Sequence, residues 1–144
     1  MSLRNDFDEI LFLQFISYHS DITLFQKGKQ MSQVLLVDDE SFFLDAIGST
    51  LKSEFSDIEV LEASDGKSAW NIYKKFKPDL VITDYKMPNW NGAELSKAIH
   101  ERDKNLPVVL ITGFAEKVES ELFSDVLLKP FQIDELINVA KKHL

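Results

Sequence analysis

Five short apolar runs alternate with segments of helical periodicity from residue 31 to the end of the chain. The runs cover residues 34–37, 58–63, 80–83, 108–112 and 126–128. Several are almost continuously apolar, as is typical of parallel strands that are covered on both faces. Apolar residues recur at helical spacing within residues 43–55, 69–76 and 133–140. The alternation predicts βα units that form an α/β fold, a doubly wound parallel sheet with flanking helices.

Length, charge and cysteine content exclude several classes of protein and of binding site. A chain of 144 residues, 44% of them hydrophobic, is long enough for one good core. The formal net charge of -8 argues against a direct nucleic-acid surface, because phosphates require basic patches. The absence of cysteine excludes disulfides and thiolate metal sites, and it fits a reducing compartment.

The longest apolar run, residues 10–16, is too short for a membrane span. Acidic residues at Asp6, Asp8 and Glu9 also make it a poor signal peptide. We therefore expect a cytoplasmic protein with no membrane span.

Polar side chains end or follow four of the five predicted strands. They are Asp38, Asp39 and Glu40 after the first strand, Asp84 after the third, Thr112 in the fourth and Lys129 after the fifth. Taken singly, each has an ordinary structural explanation, such as a helix cap, a β-branched strand residue or a solvated charge. Because parallel strands present their carboxyl ends at one edge of a sheet, the sequence predicts an acid cluster with a hydroxyl and an ammonium beside it.

The chemistry of this set points to phosphate. Clustered carboxylates repel one another unless a cation offsets them, and oxygen ligands without His or Cys favour Mg²⁺ over zinc. A phosphoryl group on Asp84 would spread negative charge that Mg²⁺, Lys129 and Thr112 can share. The chain lacks a GxxxxGK[ST] cradle, which argues against a nucleotide bound here as the donor. The residues therefore predict an acceptor site for phosphate.

The segments VLLVDDE, EASDGKSAW, PDLVITDYKMPNWNG, PVVLITG and LLKPF occur in that order along the chain. With them, residues 31–144 resemble the receiver domain of two-component response regulators. The resemblance implies a CheY-like sheet of five parallel strands in the order 2-1-3-4-5. It also implies that Asp38 and Asp39 hold Mg²⁺, with Asp84 and the main-chain carbonyl of Lys86 as the remaining protein ligands.

The same resemblance implies roles for three further groups. Asp84 would be the phospho-acceptor, Thr112 the switch hydroxyl and Lys129 the lysine that meets the phosphoryl oxygens. The implied function is a receiver that takes a phosphoryl group from a histidine kinase or histidine phosphotransfer protein and catalyses only its own phosphorylation and dephosphorylation. Two alternatives stay open: a regulatory receiver within a larger hybrid kinase or output-domain regulator, and a pseudo-receiver that serves only protein contacts. The intact acid, hydroxyl and lysine positions argue against the second.

Two features depart from the family pattern. Sixteen residues separate Thr112 from Lys129. That is roughly five fewer than the family usually has, so the fourth helix should be shortened by about a turn or replaced by a loop. Val126 also stands where the family usually has an aromatic residue that rotates inward on phosphorylation, and valine cannot act as a swinging ring. His100 and His143 are expected to be exposed helix residues.

Residues 1–30 lie outside the resemblance and form a predicted helical extension. Asp6 is a candidate cap, and the apolar residues that follow it cover nearly every side of the helix. A helix of this kind needs a partner surface, either on its own receiver or on a second chain. We expect that it contributes to a homodimer.

Overall fold

A computed structural model describes residues 30–114 and 118–144. Its centre is a five-stranded parallel sheet with the strand order β2-β1-β3-β4-β5. The strands are β1 (Ser32–Val37), β2 (Ile58–Ala63), β3 (Leu80–Asp84), β4 (Val108–Thr112) and β5 (Asp125–Leu128). The predicted fold class and strand order are confirmed.

Four α-helices accompany the sheet in the described residues. They are α1 (Ser41–Glu54), α2 (Gly66–Phe76), α3 (Gly92–Arg102) and α4 (Ile133–His143). Apolar periodicity had singled out segments within α1, α2 and α4, but it had not singled out α3. The local signal for α3 is a capping box, in which the Asn91 side chain accepts from the Glu94 N–H and the Glu94 carboxylate accepts from the Asn91 N–H.

The strands are apolar along their length because both faces of the sheet are covered. Val34 and Leu36 of β1 belong to the core layer shared with α1 and α4. Leu35 and Val37 face the opposite layer, shared with α2 and α3. Strand β1 is therefore packed on both faces and paired on both edges, which fixes the position of its carboxyl end.

The strand order places a topological switch point between β1 and β3. From β1 the chain crosses to β2 on one side, and β3 then pairs with β1 on its other side. Ligand sites in doubly wound sheets lie outside the strand ends at such a point. Asp38, which follows β1, and Asp84, the last residue of β3, stand there together.

The crossover from β4 to β5 is short. Within its described residues it contains a 3-10 turn, Ser120–Leu122, in place of an α-helix, as the spacing between Thr112 and Lys129 had predicted. The Ser96 hydroxyl of α3 donates to the Leu122 carbonyl. Lys97 pairs with Glu119 at 3.2 Å. This turn is thus attached to α3.

Two expectations about histidines are wrong. His100 is only partly exposed, and its Nε2 lies 3.0 Å from the Leu106 carbonyl oxygen. His143 is also partly buried, because its Nε2 contacts the Asp125 carboxylate at 2.6 Å. Both rings are engaged in tertiary contacts that amphipathic periodicity does not encode.

The predicted N-terminal helix and its dimer contact lie outside the described residues. Across residues 30–114 and 118–144, the helices are all too short or too polar to traverse a bilayer.

Candidate functional site

Three carboxylates meet at the carboxyl edge of the sheet. Asp38 is almost completely buried at 1% exposure, Asp39 is exposed, and Asp84 is partly buried at the end of β3. One oxygen from each lies within 4.8 Å of the others. The structure therefore brings together the three acids that the sequence had selected as candidate metal ligands.

These carboxylates have few hydrogen-bond donors and only one neighbouring ammonium to offset their negative charge. Asp38 Oδ1 accepts a hydrogen bond from the Glu40 N–H at 2.9 Å, whereas its Oδ2 is buried without a hydrogen-bond partner. Asp84 Oδ1 accepts from the Tyr85 N–H at 2.8 Å. Lys129 Nζ stands 3.6 Å from Asp38 Oδ2 and 3.7 Å from Asp84 Oδ2. One ammonium is thus shared between two carboxylates, with a third close by.

The electrostatic consequence appears in the pKa of two acids. Burial raises the pKa of Asp38, an effect that the Glu40 N–H partly offsets and that the charges of Asp84 and Asp39 reinforce. Burial likewise raises the pKa of Asp84, although Lys129 pulls it down. The fully ionised cluster is therefore costly, and a bound cation would stabilise it.

The donor set fits a hard divalent cation. All three clustered side chains are oxygen donors, and the unpartnered Asp38 oxygen is the kind of atom that a cation would satisfy. Lys86, whose main-chain carbonyl is the fourth expected ligand, lines the same cleft as Asp84. These residues suit Mg²⁺ and offer neither nitrogen nor sulfur to a softer metal.

Lys129 contacts an aromatic residue, Phe43, which the sequence analysis had included only as part of a helical apolar pattern. Its Nζ lies 4.5 Å from the ring centroid of Phe43, a cation–π contact. The Phe43 ring in turn meets Phe131 edge-on, with 6.4 Å between centroids. The ammonium therefore stands between an aromatic face and two carboxylates. No sequence signal could have found this contact, because it joins the first turn of α1 to the loop after β5, two segments that are distant in the chain.

Thr112 reaches the same edge from β4. Its side chain is buried, and Oγ1 accepts a hydrogen bond from the Phe114 N–H at 3.2 Å. The Lys129 N–H donates to the Thr112 carbonyl at 2.8 Å, which extends the pairing of β4 and β5 by one residue. Asp84, Thr112 and Lys129 all line one open cleft of about 910 Å³.

The loop after β3 requires glycine where it enters α3. A Cβ on Gly92 would stand 2.5 Å from the Asp84 carbonyl oxygen, closer than any side chain allows. The Gly92 N–H also donates to the Tyr85 carbonyl at 2.7 Å. The Pro and Gly of MPNWNG thus fold the chain tightly back beside Asp84.

The fold and the acid cluster define a doubly wound α/β domain with an acidic, open site at its switch point. The family model for the response regulator receiver domain matches residues 34–141. The chain therefore belongs to the response regulator receiver family.

Curated relatives include both short and long proteins. The chain is 31% identical to sporulation initiation phosphotransferase F of Bacillus subtilis, covering 78% of this chain and 93% of that protein. It is 35% identical to chemotaxis protein CheY of Halobacterium salinarum, with 69% and 86% covered. It is 33% identical to the C4-dicarboxylate transport transcriptional regulatory protein DctD of Pseudomonas aeruginosa. That match covers 78% of this chain but only 25% of DctD.

Solved structures show the same fold. The chemotaxis response regulator CheY4 of Vibrio cholerae superposes with a TM-score of 0.71 at 27% identity, covering 80% of this chain and all of that one. The response regulator TrrA of Thermotoga maritima, solved in complex with Mg²⁺ and BeF, gives a TM-score of 0.73 at 29% identity. That superposition covers 79% of this chain and all of TrrA.

Proposed function

We propose that this chain is a phospho-accepting receiver, which takes a phosphoryl group onto Asp84 from a histidine kinase or histidine phosphotransfer protein. The observation that carries the proposal is the meeting of three carboxylate oxygens within 4.8 Å beside the Lys129 ammonium. Membership of the receiver family supports the same reading. The chain would then signal through altered contacts with other proteins.

The residues have distinct roles in the transfer. The Asp84 carboxylate attacks the phosphorus of a phosphohistidine, so that a P–O bond forms while the P–N bond breaks and its electron pair returns to the imidazole. Lys129 faces the incoming phosphoryl oxygens and offsets their charge. The Thr112 oxygen already accepts from the Phe114 N–H, which leaves its own proton free to donate to a phosphoryl oxygen.

The acid cluster implies Mg²⁺ as the cofactor. Asp38, Asp39, Asp84 and the Lys86 carbonyl would hold the ion, which would neutralise charge on the transferred group when bound. The likeness to TrrA, which was solved with Mg²⁺ and BeF, supports this assignment. The chain acts in this account only on its own aspartate, not on a separate substrate.

Phosphorylation with a small donor tests the proposal. We expect the full chain to gain one phosphoryl group from acetyl phosphate or phosphoramidate in Mg²⁺, as read by intact mass spectrometry, and to gain none after chelation. Asp84→Asn should gain none under either condition. Asp125→Asn, a carboxylate at the opposite edge of the sheet, is the matched control and should gain as much as the parent. A parent chain that takes up no phosphate, or an Asp84→Asn chain that takes up as much, contradicts the assignment.

A second candidate is a regulatory receiver module of a larger protein. The match to one quarter of DctD favours it, because receivers of this sequence type occur within longer regulators. The full reading frame distinguishes the two, and phosphorylation at Asp84 is expected in both.

The domain division and the N-terminal contact are part of the proposal. We assign residues 31–144 to the receiver and residues 1–30 to an extension whose apolar sequence supports a homodimer. Deleting residues 1–30 should convert a dimer to a monomer in light scattering while phosphorylation persists. A full-length chain that is monomeric at high micromolar concentration contradicts the dimer.

A further inference from the structure

The β3–α3 loop, residues 85–91, forms one wall of the cleft. Lys86, Met87, Pro88 and Asn91 line the cleft, whereas Trp90 does not. Trp90 instead contacts α2 on the other side of the loop. The position of this wall therefore depends on the residues of α2 that contact the loop on the side away from the cleft.

Gly66, the first residue of α2, lies directly against that loop. A Cβ at this position would stand 2.3 Å from the Trp90 carbonyl oxygen and 2.5 Å from the Trp90 Cβ. None of the glycines in the described residues has a positive φ, so an unusual backbone conformation does not explain this glycine. Alanine is the better helix former, so the close approach of the loop is the physical reason for glycine here.

Trp70, one turn further along α2, packs against the Trp90 ring with 6.0 Å between centroids. Trp70 is itself held on several sides. It stacks on Tyr73 at 5.3 Å, and the cations of Lys74 and Arg102 lie 5.5 and 5.1 Å from its ring. Trp70 is therefore a fixed surface against which the Trp90 ring can rest.

Asp65 supplies a polar contact to the same loop. The Ser68 N–H is the main cause of a lowered pKa at Asp65, and a hydrogen bond from the Asn89 side chain contributes in the same direction. Asn89 has a φ of 66°, in the left-handed region that few residues other than glycine and asparagine adopt. The Asn89 side chain thus lies near enough to Asp65 to interact with its carboxylate.

We infer that the start of α2, through Asp65, Gly66 and Trp70, positions the Mg²⁺ site by fixing Asn89 and Trp90 of the loop whose main chain borders it. None of these five residues lines the cleft, so they are positioning residues and not ligands. The inference rests on the proposed function, since it assumes that the cleft binds Mg²⁺. It predicts that small changes at α2 alter metal affinity without touching a carboxylate.

The decisive variant is Gly66→Ala in the full chain. We expect its dissociation constant for Mg²⁺, measured by calorimetry and by the shifts of the Tyr85 and Lys86 amides, to rise on the order of tenfold. The acetyl phosphate reaction should slow at low Mg²⁺ and recover at saturating Mg²⁺, because the loop is displaced and Asp84 is intact. Gly48→Ala is the matched control. Its added Cβ would stand 3.2 Å from the end of the Glu62 side chain and at ordinary contact distances of 3.6 and 3.7 Å from Val60 and Leu36, so Mg²⁺ affinity should not change.

Ring substitutions test the same idea without a clash. Trp70→Phe keeps an aromatic surface and should bind Mg²⁺ within about threefold of the parent, whereas Trp70→Leu should weaken binding more. Ile58→Val, a core change at the start of β2, shows whether lost stability alone alters affinity. If Gly66→Ala does not fold by circular dichroism, Trp70→Leu decides the matter.

Folded Gly66→Ala and Trp70→Leu chains that bind Mg²⁺ as tightly as the parent would overturn the inference. So would an Ile58→Val chain that weakens binding as much as they do. A parent chain that binds no Mg²⁺ would instead defeat the proposed function. The two failures are therefore distinguishable.

Discussion

Aspartates at the two edges of the sheet have opposite surroundings. At the amino edge, Asp125 of β5 contacts His143 Nε2 at 2.6 Å and Lys142 Nζ at 3.1 Å. The hydrogen bond with His143, followed by that with Lys142, holds the pKa of Asp125 below its usual value despite some burial. At the carboxyl edge, burial raises the pKa of Asp38 and Asp84, and one Asp38 oxygen has no hydrogen-bond partner.

The difference indicates that the charge of Asp125 stabilises the fold, whereas the charges of Asp38 and Asp84 are suited to binding. Asp125 is paired with two side chains of α4, so its ionised form favours the folded state and attaches that helix to the sheet. Asp38 and Asp84 share one lysine, so their ionised forms oppose folding until a cation arrives. Carboxylates that are to bind a cation have to lack a full set of charged partners before the cation binds.

The largest difference between the two edges is expected when the lysine beside each aspartate is replaced. Lys129→Met is expected to slow phosphorylation of Asp84 by roughly a hundredfold to a thousandfold, because a charge-stabilising group is lost from the transfer. Lys142→Met should cost at most about 1 kcal/mol of stability, since it is an exposed partner, and should leave the rate unchanged. Acetyl phosphate kinetics and urea unfolding measure the two effects. Equal rate losses would contradict the separation of roles.

Removing the paired carboxylate should give an intermediate effect with a defined pH dependence. Asp125→Asn is expected to lower the free energy of unfolding by about 1 kcal/mol at neutral pH. Because the folded pKa of Asp125 lies below its unfolded value near 3.8, its contribution is present above that value and is lost as the pH falls through the folded pKa. Urea unfolding of parent and variant should therefore differ at pH 7 and converge in strong acid. A difference that grows on acidification would show that the sign is wrong.

The smallest effect is expected on the open side of the cleft. Gly113 has open space where a Cβ would stand, and the Phe114 side chain is 71% exposed beside the site. Phe114 can shield the phosphoryl group from water, so Phe114→Ala should shorten its lifetime by less than about tenfold, under ~1.4 kcal/mol of barrier. Phosphate release after removal of the donor measures this. An unchanged or longer lifetime would refute the shielding role.

Much of the fold could be predicted from the sequence, because strands that are buried on both faces are almost continuously apolar. Helix α3 has a weaker apolar periodicity. Its buried face includes three small residues beside two large apolar ones, namely Gly92, Ala93, Ser96, Leu95 and Ile99. Small and polar residues do not register as an apolar stripe, although the capping box did mark its start.

The candidate site followed from chain order, because Asp38, Asp84 and Thr112 stand where parallel strands end. Its electrostatic details did not follow. The Phe43 ring against Lys129 and the unpartnered Asp38 oxygen depend on how separate elements pack together, and no local pattern encodes that distance.

The outer strands of the sheet also bear on self-association. Strand edges with unpaired backbone groups are templates on which other chains can add and aggregate. In the described part of the chain, β2 forms one edge and carries the exposed acids Glu59 and Glu62, while β5 at the other edge is only four residues long. Negative charge and shortness both discourage strand addition. We therefore expect the receiver to resist edge-to-edge aggregation even when a cation has neutralised part of the cleft.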